Sequence, residues 1–166
     1  MSTLEIILIL GLIPITAFNI YYFTIGRKKK QAREQYCRQI ISELERKTIA
    51  EMEKNHLQFD EKQAFINDAG EGVQLSFSKD RRQMAITLKE AFHWMHFSDV
   101  KGCTVRHDET NGKYSNIRVE IETAKKVITI VFGTRAWRPK SFVGKLVIEN
   151  AMEFCNLVKA RCKLSA

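Results

Sequence analysis

Hydrophobic and polar positions along this chain fall into three regimes. Residues 4–25 are almost unbroken apolar: 22 positions hold 13 Leu, Ile or Phe and a single charge, Glu5. A helix of that length reaches about 33 Å, the thickness of a bilayer core, so the run predicts a transmembrane helix over 4–25 behind a short tail, 1–3. Pro14 lies inside it, and membrane helices tolerate such a kink. Residues 26–55 read differently. From Arg27 to Asn55 there is no Gly or Pro, and Ala32, Tyr36 or Cys37, Ile40 or Ile41, Leu44, and Ala50 or Met52 recur at helical spacing. This predicts a linker helix jointed at Gly26, its stripe packed on the domain that follows rather than zipped into a coiled coil, since the seam fails at Glu51.

After the loop Asn67-Asp68-Ala69-Gly70-Glu71-Gly72 the period shortens from 3.6 to 2. Residues 73–78 alternate apolar and polar, as a half-buried strand does, and 84–88 return after the polar turn 79–83. Further strands are expected at 92–97, 100–107, 117–122 and 127–132, with Gly102 marking a bulge and Asn111-Gly112 giving the sharpest turn signal. Six strands joined by short turns predict an antiparallel sheet. A final helix starts behind Ser141, a good N-cap. Its stripe runs through Val143, Leu146 or Val147, Ala151, Phe154, Leu157 or Val158, and Cys162, and closes the sheet. The expected class is α+β, with residues 56–166 as the globular domain.

Charge assigns the first regime a direction. The chain carries a net +8, and Arg27, Lys28, Lys29, Lys30, Arg33 and Arg38 face only one acid, Glu34, in the membrane-proximal stretch. Basic residues stay on the cytosolic side, so a single-pass protein is expected, with its N-terminus outside and 26–166 in the cytosol. The long apolar run and the absence of a small-residue cut site point to an uncleaved anchor. Half of the basic excess is thus a topology signal beside a lipid bilayer, and no nucleic-acid partner is expected. The oligomeric state stays open.

Chemistry is sparse. Cys37, Cys103, Cys155 and Cys162 form no CxxC pair and read as reduced packing residues. His93 and His96, three apart in a strand, point to opposite faces, and no metal is expected. No Ser-His-Asp order, paired carboxylate or Gly-rich phosphate loop appears, so neither catalysis nor a cofactor is expected.

The strand–basic turn–strand at 73–88, the step Phe97-Ser98-Asp99-Val100 and the closing helix at 141–163 together resemble the pleckstrin-homology-like fold. In particular they resemble the small domains of this kind in bacterial membrane-anchored proteins of unknown function. The resemblance covers about 70–163 and implies seven strands against the six counted, so either 57–59 supplies the seventh or the count is one short. It implies an interaction module for a protein partner, at the bacterial inner membrane. Its alternative implication is a sensor of anionic lipid headgroups, held by Lys79, Arg81 and Arg82 in the first hairpin turn with help from the juxtamembrane basic cluster. Trp137 between Arg135 and Arg138 has the composition of a partner contact.

Overall fold

The computed structural model describes residues 3–164, and within 3–25 the side chains of Pro14, Ile15, Thr16, Phe18, Tyr21 and Tyr22 alone. The chain divides into two units, Met1–Gln39 and Ile40–Ala166. The first is wholly helical where it is described. It belongs to α1, Thr3–Lys54, a helix that runs on through Gly26 and the basic cluster without a joint.

This corrects the sequence expectation. Among the described residues, no helix is long and apolar enough to cross a membrane. Single-pass anchoring, the outside-to-cytosol orientation and an inner-membrane location are therefore not supported. In place of a separate apolar span there is one long helix that leads into charge, and Pro14, Thr16, Tyr21 and Tyr22 break up its described apolar surface. Of the expected outer tail, Met1 and Ser2 lie outside the described residues, as do most side chains of 4–25, and Thr3 already belongs to α1.

The second unit opens with the last turns of α1. A Schellman cap ends the helix: His56 takes the left-handed conformation at φ 53°, and the Leu57 N–H donates to the Met52 carbonyl at 2.8 Å. Four antiparallel strands follow in chain order, β1 (Glu61–Ile66), β2 (Gly72–Ser78), β3 (Gln83–Leu88) and β4 (Phe92–His96). A 3-10 turn, Phe97–Asp99, then leads into a second sheet of β5 (Val100–Thr110), β6 (Lys113–Thr123) and β7 (Val127–Gly133), also paired in chain order.

Helix α2, Phe142–Cys162, closes the unit. The Ser141 hydroxyl accepts the Gly144 N–H at 3.2 Å, the cap expected from the sequence. Val147, Ala151, Phe154 and Val158 are buried against both sheets. The Phe154 ring sits 5.4 Å from Phe65 and 5.5 Å from Phe132, each edge to face, and locks helix to sheets.

Sheet one departs from the half-buried reading, because all seven residues of β2 are buried. Val73, Leu75 and Phe77 face the core, while Gln74, Ser76 and Ser78 face the last turns of α1, where Leu44 and Thr48 are buried too. Thr48 and Thr87 share a hydroxyl hydrogen bond of 2.7 Å, and the Lys47 ammonium donates to the carbonyls of Leu88 and Lys89. Gly72 permits the approach: a Cβ there would lie 2.5 Å from methyl groups of Ile40 and Leu44. From Ile40 on, the helix stripe thus packs on the sheet, whereas its expected first positions, Ala32 and Tyr36 or Cys37, fall in the first unit.

The seventh strand is β1, not 57–59. Glu61 and Lys62 hide its apolar content, and Phe65 alone in it is buried. Leu57 and Phe59 instead form a small satellite core with Ala85, beside Met52 and Phe92. β5 and β6 outrun their expected limits because Asn111 (φ 52°) and Gly112 (φ 66°) make a two-residue turn of the type that continues strand twist.

Candidate functional site

One concavity of the second unit lies between β5 and α2. β5 pairs with β6 along one side only, so its outer backbone edge has no strand neighbour. Near Cys103 the helix closes on this edge: the Cys155 thiol donates to the Cys103 carbonyl at 3.2 Å. Further along, a groove of 340 Å³ opens. Val105, Ile117, Ile148 and Met152 make it apolar, while His107, Asn156 and Lys159 supply polar groups.

Local sequence explains this shape. The pairing of β5 with β6 shifts register beyond Arg106: two residues of β6, Asn116 (φ 49°) and Ile117, bulge opposite the single residue His107. Its ring stacks on Tyr114 at 3.8 Å and 22°. On the opposite face of the hairpin Arg118 joins Asp108 (3.1 Å) to Glu120 (2.9 Å), and Arg106 adds a second bond to Glu120 at 2.7 Å. Asn116 first and then Arg118 hold the Asp108 carboxyl below its usual range; Arg118 does the same for Glu120.

Tyr114 is held from behind. Its backbone exchanges two hydrogen bonds of 2.8 Å with Trp137, whose indole N–H donates to Asp68 at 2.8 Å. Asp68 also accepts from the Thr134 and Arg135 backbone and the Thr134 hydroxyl. Partial burial raises its pKa, but these hydrogen bonds outweigh burial and keep it below the ordinary value. Trp137 is therefore a half-buried strut that runs from the β1–β2 turn to the groove.

The other expected residues are spread over the fold. With β1 in place, Lys79, Arg81 and Arg82 lie in the second hairpin turn, not the first. The first turn, 67–71, holds Asp68 and Glu71 and no basic residue. Lys79 pairs with Glu61 at 2.6 Å; Arg81 donates to the His56 carbonyl at 2.9 Å and to Gln58 at 3.2 Å. Arg82, Arg135 and Arg138 are exposed and make no side-chain hydrogen bond among the described residues. Arg27, Lys28, Lys29, Lys30, Arg33 and Arg38 are exposed in the first unit, where Lys30 approaches Glu34 at 4.0 Å.

His93 and His96 fall at register positions opposite Ile86 and Gln83. His93 borders a separate cleft of 310 Å³, 3.4 Å from the Lys126 ammonium. Burial first and Lys126 second lower its pKa.

Two thiols outside the groove lining, Cys103 and Cys162, are poor nucleophiles. Burial and then the neighbouring Cys155 push the Cys103 thiol far up, and burial pushes Cys162 up to about 11. Sequence reasoning missed the groove residues. Its one signal was Ile148 and Met152, apolar positions of α2 flanking the stripe that points to the core. No protein-family model, curated protein or solved structure matches this chain.

Proposed function

We propose that residues 40–166 form a pleckstrin-homology-like interaction module that takes an extended, acid-bearing segment of a partner protein into the β5–α2 groove. The arrangement of four strands, three strands and a closing C-terminal helix supports the first part. The second part is carried by one observation: an unpaired strand edge runs beside an apolar groove of 340 Å³. An added strand gains main-chain hydrogen bonds from the edge of β5, and its alternate side chains enter between Val105 and Met152. Lys159 and His107 give the groove a preference for a carboxylate. The module binds and does no chemistry of its own.

The test is selection of peptides from a random display library on the full chain, followed by amide chemical-shift mapping of the best binder. Peptides that alternate apolar and acidic residues and shift β5 and α2 signals support the reading. Met152→Arg and Lys159→Glu should each weaken them about tenfold or more. Binders that map elsewhere, or none above background, would overturn it.

A further inference from the structure

The interface between α1 and the first sheet is chemically unlike the main core. The helix reaches the sheet with one residue per turn: Ile40, Leu44, Thr48 and Met52. Beneath it lie Gln74, Ser76, Ser78 and Thr87, all buried. The Gln74 amide donates to Ser76 at 3.3 Å, but its oxygen, fully buried, has no hydrogen-bond partner. A buried acceptor left unpaired gains a hydrogen bond whenever water reaches it. This polar surface is therefore less costly to uncover than an apolar core, and the seam is built to open.

The connection from helix to sheet adds a second observation. Six residues, 55–60, join α1 to β1, and His56 sits among them at φ 53°, a left-handed conformation that a residue with a Cβ adopts at a cost. Straightened, those six residues span about 20 Å.

We infer that the outer face of the first sheet is an exchangeable helix-docking surface, and that its partner in trans is residues 40–54 of a second copy of this chain. The second copy's helix carries every group that the cis helix uses: Lys47 for the Leu88 and Lys89 carbonyls, Thr48 for Thr87, and Leu44 against Gly72. Exchange keeps the contacts between helix and sheet and releases the bend at His56, at the cost of the Leu57–Met52 cap bond and the Arg81 bond to the His56 carbonyl. A strained hinge of this kind is the condition for domain swapping. The surface lies on the opposite face of the first sheet from α2, so exchange and groove binding are separable.

A crosslink reads the exchange directly. Thr48→Cys with Thr87→Cys in a Cys37→Ser background places two thiols where hydroxyls now meet at 2.7 Å. After equilibration at high protein concentration and mild oxidation, the expected product is a covalent dimer linked 48 to 87. Its share should fall on dilution and be absent from Thr48→Cys alone. Only intramolecular crosslinks at every concentration would overturn the inference. If the double variant does not fold, wild-type copies carrying two different fluorophores are mixed instead. Energy transfer that rises slowly supports exchange, its absence overturns it, and His56→Gly, which removes the strain, should slow the rise.

Discussion

The two sheets share one connectivity, strands paired in chain order, yet they live in different solvents. The first is dry on both faces at its centre, with core on one side, the last turns of α1 on the other and β2 wholly buried, while Lys62 and Trp94 in its edge strands reach water. The second is dry on the core side only, and its outer face carries the ion pairs of Arg106, Asp108, Arg118 and Glu120. A polar side chain thus means opposite things in the two places. Ser76 and Thr87 are polar because a helix packs close over small side chains; Arg118 is polar because water is there. What covers a sheet, rather than its alternation, decides how its polar positions should be read.

The largest effect that can break this comparison lies where both sheets meet. Phe154→Ala should cost about 3–5 kcal/mol by urea unfolding, because the ring fills the space between Phe65 and Phe132. A loss no larger than that of a surface substitution would mean that α2 does not hold the sheets together. Gly72→Val comes next, at about 1–3 kcal/mol, since the added methyls overpack the α1 seam. Leu44→Ala in the same chain should recover part of that loss. If it does not, the helix is not the cover of the first sheet.

A finer cut compares hydroxyls. Thr48→Val alone leaves the Thr87 hydroxyl short of a partner and should cost about 1–3 kcal/mol. Thr87→Val should cost less because the Thr48 hydroxyl still donates to the Leu44 carbonyl at 2.8 Å, and the double change should come close to neutral. The smallest effect belongs to the wet face. Asp108 and Glu120 have lowered folded pKa values, so their contribution is present above the ordinary carboxylate range. It is lost as pH falls through the lowered values. Stability measured along that acid limb should flatten in Glu120→Gln and lose its salt dependence, whereas Thr48→Val should leave the slope alone.

Much of the second unit was legible from periodicity. Six strands, the Asn111-Gly112 turn and the Ser141 cap leave strong local signals, because each depends on neighbours in sequence. β1 was not legible, since an edge strand with Glu61, Lys62 and Gln63 and only Phe65 buried carries little period-2 pattern. That single miss moved Lys79, Arg81 and Arg82 from the first hairpin to the second, and with them the lipid-binding expectation. The groove was illegible for another reason. It arises where His107, opposite the bulge of β6, and the flank of α2 face each other, 40 and more residues apart, and no local pattern records the pairing. Residues 4–25 misled by their apolar composition, which says nothing of how far a helix continues.

The closing position of α2 also sets an order of assembly. Both sheets are built from hairpins between sequence neighbours and can form as soon as their strands exist. The core they share cannot shut until Phe154 arrives, near the end of the chain. During synthesis the inner faces of β2, β6 and β7 therefore wait uncovered until α2 has left the ribosome, and in that interval the nascent chain is most exposed to aggregation and to chaperones. A truncation that removes α2 would extend that interval without limit.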